Sequence, residues 1–207
     1  MGSRIMHYSI GTLLARELPI ADEEQFLLGG IAPDVNKNMN EPKGRSHFIQ
    51  MDAEGKQDID LEGFHAKYVK HMAAPFILGY YYHLIADRMW VDSIYKPKIK
   101  WLPQPEKKEA QGKYYRDFWR LNGKLIDYYS LTLKPLQIQP VDMDEIDYRF
   151  LPDIIEDLTK DFELKDDAKD QDLEILDMQE TIAVLEETVR ICKAAYYGAT
   201  EAVWKRT

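Results

Sequence analysis

The chain has 207 residues, 45% of them hydrophobic and 30% charged, with a formal net charge of −9. That length and composition are expected of one globular domain with a real core, and no run of about 18 apolar residues is available to span a bilayer. The acidic balance argues against a protein that coats nucleic acid or an anionic membrane, which needs a basic face; it leaves room for a phosphate-bearing substrate, because a bound divalent metal makes an acidic protein locally positive.

Taken in order, the apolar positions predict helix nearly throughout. Ile10, Leu13, Leu14 and Leu18 follow a 3.6-residue period, so a first helix is expected over about 5–18, with Pro19 helping to end it. A second is expected from Asp22 to Gly29, capped by Asp22 and broken by Gly29-Gly30. Ile31-Ala32-Pro33-Asp34 then reads as a rigid turn, because the residue before a proline is pushed out of the helical region. Residues 35–60 read as a long polar loop carrying Ser46-His47-Phe48, and loops of that length in a compact domain are usually functional or disordered.

A helix over about 60–72 leads to a break at Ala73-Ala74, and Pro75 fits the first position of a helix over 76–95 whose centre is free of charge until Asp87. Pro97, Pro103 and Pro105 mark a second loop before a long aromatic-rich helix over 106–131. A loop around Pro135 and Pro140 precedes helices near 143–149 and 152–162, and 172–204 reads as one amphipathic helix with a bend at Gly198. The expected fold class is therefore all-α, a multi-helix single domain over 1–207. Its first half, about 1–95, carries the candidate site and its second, about 106–207, supplies further helices. Cys192 is the single cysteine, so no intrachain disulfide can form. With no long apolar N-terminal stretch either, the expected location is the cytoplasm.

Five residues in this first half carry the chemistry: His7, Asp34, His47, His83 and Asp87. His83 and Asp87 stand at i, i+4, which stacks an imidazole and a carboxylate on one helix face, a common way to present two ligands to a metal such as zinc. Each residue alone has a plainer role open to it. His7 could sit at the surface, Asp34 could cap a turn, His47 could be solvated, and His83 could be a core histidine bonded to a carbonyl. Asp87 is harder to explain so, because a carboxylate among Ile85, Ala86, Met89 and Trp90 is costly to bury without a partner, and Arg88 at i+1 points away. Together, Asp34, His47, His83 and Asp87 supply two imidazoles and two carboxylates from three separate elements, enough for one metal, and His7 could support a second ion bridged by Asp87.

The series His7-Tyr8-x-Ile10, Gly29-Gly30-Ile31-Ala32-Pro33-Asp34, Ser46-His47-Phe48 and Gly79-Tyr80-x-x-His83-x-x-x-Asp87 resembles the zinc-dependent phospholipase C family, over about residues 5–95. That superfamily, which includes fungal single-strand nucleases, is all-helical. The resemblance implies a phospholipase C-like helical bundle and a phosphoester or phosphodiester hydrolase. It also implies that Asp34, His47, His83 and Asp87 hold one zinc, that Asp87 bridges to a second zinc held by His7, and that Asp34 doubles as general base; the expected catalytic residues are Asp34 and Asp87, either of which would orient the metal-bound water. Secreted members begin with a Trp that gives its amine to a metal, and carry further histidines for a third ion. Here six residues precede His7, none of them Trp, and no histidine follows His83, so one or two Zn2+ ions are expected, in a reduced intracellular member with a small phosphorylated substrate. The alternatives are a nucleotide phosphohydrolase resembling the HD-domain enzymes, against which stands the lack of an adjacent His-Asp pair, and a helical binding protein whose metal is structural.

Outside this set, His65 and His71 are expected to be structural or at the surface. Tyr80, Tyr81, Tyr82, Trp90 and Tyr95 could line a pocket or pack the core, Lys37, Lys43 and Arg45 could meet a substrate phosphate, and no nucleophilic role is expected of Cys192.

Overall fold

The structure, a computed structural model, describes residues 2–51, 55 and 57–198. Helix α1 (Arg4–Glu17) begins at Ser3, whose side chain accepts a hydrogen bond from the backbone of Met6. Asp22 likewise caps α2 (Glu23–Ile31) through the backbone N–H of Gln25. A 3-10 helix (Ala32–Lys37) continues from it, followed by a single helical turn, α3 (Lys43–Ser46), and a two-stranded antiparallel hairpin of β1 (Ile49–Met51) and β2 (Gln57–Ile59). Then come α4 (Leu61–Tyr68) and α5 (Pro75–Trp90), which runs on as a wider π-type helix over Val91–Lys100. The second half holds α6 (Glu106–Tyr128), α7 (Leu151–Glu163) and α8 (Met178–Tyr196). Eight α-helices and one short hairpin among the described residues make the fold all-α. None of these helices is long and apolar enough to cross a membrane.

Buried α5 is the centre of the packing, with α2 laid against it and α1, α4 and α8 around it. The α2–α5 contact explains why Gly29 and Gly30 do not end α2, as expected from glycine's usual place after a helix. Both lie inside it. A Cβ on Gly29 would come 2.0 Å from the carbonyl oxygen of Phe76, and one on Gly79 would come 2.1 Å from that of Phe26. The glycines let two helix backbones touch, so tertiary approach outweighs local propensity.

Other sequence expectations need correction. Ala32 is helical (φ −57, ψ −36) although Pro33 follows it, so Asp34 is delivered by a helical turn and not by an abrupt bend. The expected 35–60 loop contains α3 and the hairpin. The helix expected over 76–95 reaches Lys100 with Pro97 inside it, and residues 143–149 form no α-helix; only the 3-10 turn Tyr148–Phe150 stands there. The helix expected over 172–204 starts at Met178, where Asp177 caps it. It stops at Tyr196, before the positive φ of +76 at Gly198, and residues 199–207 lie outside the described ones.

The segment 174–176 is instead fastened to α6. Buried Asp117 accepts the backbone N–H groups of Glu174, Ile175 and Leu176 at 2.7–3.0 Å and pairs with Arg120 at 3.0 Å. These bonds satisfy a carboxylate that is 0% exposed, which would otherwise be costly to bury.

Candidate metal centre

All five candidate residues lie within the buried interior, with relative exposures of 4% for His7, 5% for Asp34, 0% for His47, 2% for His83 and 1% for Asp87. Four elements deliver them. The second turn of α1 carries His7, and the capped N-terminus that places it is tied to α6 by a 2.7 Å hydrogen bond from Ser3 Oγ to Asn122. The 3-10 turn brings Asp34 inward, α3 ends at His47, and α5 presents His83 and Asp87. Phe48, directly after His47, takes a left-handed conformation (φ 50), which costs a bulky residue about 1–2 kcal/mol. Its ring is held against Phe64 at 5.0 Å between centroids, and this packing offsets the strain while turning the chain from α3 into β1.

The distances converge. His47 Nε2 lies 3.4 Å from His83 Nε2, 3.5 Å from Asp34 Oδ1 and 3.6 Å from Asp87 Oδ2; His83 Nε2 lies 3.9 Å from Asp87 Oδ2. Four ligand atoms around a tetrahedral zinc, each about 2.0–2.2 Å from it, stand roughly 3.3–3.6 Å apart. Two overlapping triads satisfy a ligand-atom separation of no more than 4.8 Å: Asp34, His47 and His83, and His7, His83 and Asp87. His83 belongs to both. Its ring also stacks on that of His7 at 3.7 Å between centroids, with 16° between the planes.

The outer contacts orient these rings. His83 Nδ1 donates to the carbonyl of Gly30 at 2.8 Å, which leaves Nε2 with its lone pair inward. The plainer reading of His83, a core histidine bonded to a carbonyl, thus describes its outer nitrogen only. His47 Nδ1 is 2.8 Å from Ser46 Oγ, and that hydroxyl donates to the carbonyl of Lys43, so the imidazole N–H faces Ser46 and Nε2 faces the cluster. The Lys43 ammonium, which has only donors, stands 3.5 Å from His47 Nε2 and 3.2 Å from Asp34 Oδ1. His7 is the least satisfied member. Neither of its ring nitrogens has an aligned hydrogen-bond partner among the described residues, although Nε2 is 3.3 Å from Asp87 Oδ1. The backbone N–H of Gly2 donates to that same Asp87 oxygen at 3.1 Å.

Electrostatically the cluster keeps its carboxylates charged. Burial pushes the Asp34 carboxyl up, but Lys43, His47 and His83 more than offset this and hold it well below the usual range. The same balance, with His7 and His83 among the opposing groups, holds Asp87 down. Burial and then the nearby His7 keep His83 well below the ordinary histidine value, so its lone pair is retained. Burial opposes the Lys43 charge, yet Asp34 and Asp87 raise its pKa above the usual lysine value.

A cleft of about 440 Å³ reaches this cluster, lined by Asp34 and Lys43 together with Tyr95, Tyr114, Tyr115 and Phe118. Lys37, Arg4 and Asn122 also line it. Trp90 Nε1 holds Tyr114 in place with a 2.6 Å hydrogen bond to its hydroxyl. A second recess of about 300 Å³ is lined by Asp87, Lys100, Lys107 and again Tyr95. Of the aromatics singled out from sequence, then, Tyr95 faces the cleft. Tyr80 is buried and donates to the Ser46 carbonyl, while Tyr81 and Tyr82 line a different pocket, beside Pro19 and Tyr196. Arg45 points outward to Glu41, and exposed His65 and His71 stand apart from the cluster. Cys192 is buried, and burial raises its thiol pKa.

The orienting role of Ser46, the Gly30 carbonyl and the α6 side chains Tyr114, Tyr115 and Asn122 are not among the sequence expectations. A serine beside a candidate ligand was the one available signal. The α6 residues lie 27 to 35 positions after Asp87, and nothing local ties them to it. No family model matches the chain, and neither a curated protein nor a solved structure matches it.

Proposed function

We propose that this protein is a metal-dependent hydrolase of phosphoesters or phosphodiesters, using Zn2+ or another divalent transition metal. The observation that carries the reading is the convergence on His47 Nε2 of His83, Asp34 and Asp87 ligand atoms at 3.4, 3.5 and 3.6 Å, close to the edge length of a tetrahedral coordination shell. The donor set of imidazoles and carboxylates suits such a metal, and the outer hydrogen bonds of His47 and His83 already direct their lone pairs inward. His7, whose ring nitrogens have no aligned hydrogen-bond partner among the described residues, is the member available to a second ion with His83 and Asp87.

When bound, the metal would supply a Lewis acid that makes water acidic near neutral pH and offsets phosphoryl charge. The remaining work falls to the chain. Asp34, ionised and on the cleft wall, is placed to orient water and take its proton; Asp87, deeper, positions His7. Tyr95, Tyr114 and Tyr115 line the same cleft as Asp34, and a cleft meeting a ligand favours a catalytic over a purely structural ion, whose site would be closed. The resemblance of the motif series to zinc-dependent phospholipase C supports the same reaction class.

The test is metal analysis of the purified protein followed by turnover of bis(p-nitrophenyl) phosphate, with and without chelation. Metal-dependent turnover that disappears in Asp34→Asn supports the reading. Stoichiometric metal with no turnover on phosphomonoesters or phosphodiesters would leave a structural ion and overturn the enzymatic part.

A further inference from the structure

Two of the four converging ligand atoms already have a cationic neighbour. Lys43 Nζ is 3.2 Å from Asp34 Oδ1 and 3.5 Å from His47 Nε2. An imidazole nitrogen has a single lone pair, and His47 Nε2 cannot give it to an ammonium and to a metal at once. A carboxylate can bridge two cations, but a divalent ion held by Asp34 and His47 would repel an ammonium this close. Metal binding therefore requires Lys43 to withdraw.

Its place in the fold gives it somewhere to go. Lys43 is the first residue of α3 and its carbonyl accepts the backbone N–H of His47 at 2.9 Å, so its backbone is fixed relative to that ligand. The side chain, however, is 28% exposed and lines the 440 Å³ cleft together with Tyr95, Tyr114 and Tyr115. Rotation about its terminal bonds moves the ammonium from the ligands into the cleft without moving the backbone. Of the other cations lining that cleft, Arg4 is engaged by Asp161 at 3.0 Å and by Asp157 at 3.7 Å, and Lys37 stands on the 3-10 turn.

We propose that Lys43 is the built-in counter-cation of the metal-free centre and, once displaced, the side chain that binds an anionic phosphoryl oxygen next to the metal. This rests on the metal-hydrolase reading and deepens it. It names the substrate feature recognised, a phosphate oxygen, and the residue that recognises it. It also makes metal and Lys43 competitors for the same ligand atoms, and metal and phosphate cooperative.

The test uses Zn2+ alone and then inorganic phosphate on the Zn-loaded protein. Zn2+ affinity is read by competition with a chromophoric chelator and phosphate affinity by calorimetry. Lys43→Met keeps the aliphatic stem and removes the charge, and Lys43→Gln gives a second neutral variant should the first fold poorly. Both are expected to bind Zn2+ at least about tenfold more tightly than wild type, and phosphate about ten- to a hundredfold more weakly, as for loss of one charge-assisted hydrogen bond. Lys43→Arg, which keeps the charge, should retain phosphate binding within a few-fold. Lys108→Met, an exposed charge removed elsewhere, should change neither. Zn2+ affinity unchanged in the neutral variants overturns the counter-cation role, and phosphate affinity unchanged overturns the recognition role, while the hydrolase reading stands in both cases. Failure of wild type itself to bind Zn2+ overturns the hydrolase reading and this proposal with it.

Discussion

His47 and His83 point their Nε2 atoms at each other across 3.4 Å, each with its Nδ1 engaged elsewhere, by Ser46 Oγ and by the carbonyl of Gly30. Two inward lone pairs at that distance repel unless a cation lies between or beside them. Lys43, its Nζ 3.5 Å from His47 Nε2, supplies part of that charge. The outer bonds therefore matter as much as the rings. Ser46→Ala should weaken metal binding by about 10–100-fold, the usual cost of losing a partner that orients a ligand. Equilibrium metal competition measures it; an unchanged affinity would show that His47 is oriented by packing alone.

Asp87→Ala should abolish metal binding and also destabilise the fold. Asp87 is 1% exposed and meets His7, His47 and His83, so its removal strips a buried polar network of its anion, at a cost of about 3–5 kcal/mol. His7→Ala should be milder and leave one metal bound, because the triad of Asp34, His47 and His83 does not include it. Metal stoichiometry and melting temperature across both variants check this, with His65→Ala, exposed and apart, as a control expected to change neither. Metal lost in His65→Ala but kept in His7→Ala would reverse the ligand assignment.

The α2–α5 contact is a test of fold and site together. Gly79→Ala should gain about 1 kcal/mol in helix propensity. The Cβ would nevertheless meet the Phe26 carbonyl oxygen at 2.1 Å, and backbone cannot step aside as a flexible side chain can. Net destabilisation of about 1–3 kcal/mol is expected. Metal affinity should fall too, since the same contact sets the distance from His83 to Gly30. Chemical denaturation and metal titration of Gly79→Ala read the two effects; a more stable variant would mean that the helices separate at no cost.

These residues mark what the sequence could and could not disclose. The His83–Asp87 pair was legible because helix geometry puts i and i+4 on one face, and the buried surroundings of Asp87 demanded a partner. Asp34 and His47 were legible as residue types after a proline and beside an aromatic, though the helical turn that carries Asp34 was not. Gly29-Gly30 misled because glycine's local preference is to end a helix, whereas the Phe76 backbone, 47 residues away, uses the missing side chain of Gly29. Pro97 misled in a similar way, since the helix after α5 widens and carries it. The Lys43 contact with Asp34 depends on how α3 folds back over the 3-10 turn. Neither that nor the α6 wall of the cleft leaves a periodic trace.

Asp117→Ala offers a stability prediction away from the centre. It would leave three backbone N–H groups of 174–176 unbonded and free Arg120 of a buried partner. A loss of about 3 kcal/mol or more is expected, by the cost of unsatisfied buried donors. Denaturant unfolding should show it with metal binding intact. A change below about 1 kcal/mol would mean that water replaces the carboxylate.

The pH dependence of the metal-free protein follows from the direction of three shifts. His83 is depressed in the fold relative to an unfolded value of about 6.5, so it contributes stability above that pH, which is lost as pH falls below it. Asp34 and Asp87 are also depressed, relative to about 3.9; their contribution is present above that value and lost as pH falls further. Melting temperature with chelator present should decline from about pH 6.5 downward and more steeply below about pH 4. A His83→Gln variant should lose the upper limb and keep the lower. A melting temperature flat from pH 7 to 5 in wild type would contradict the buried, neutral His83.

The most direct measurement is a Zn2+ titration of the chelator-stripped full chain, followed by X-ray absorption at the zinc edge. The account predicts one or two ions per chain, the tighter in a shell of imidazole nitrogens and carboxylate oxygens at about 2.0–2.2 Å with no sulfur, and its loss in Asp87→Ala. Absence of stoichiometric binding in a folded protein, or a shell containing the Cys192 thiolate, would contradict it.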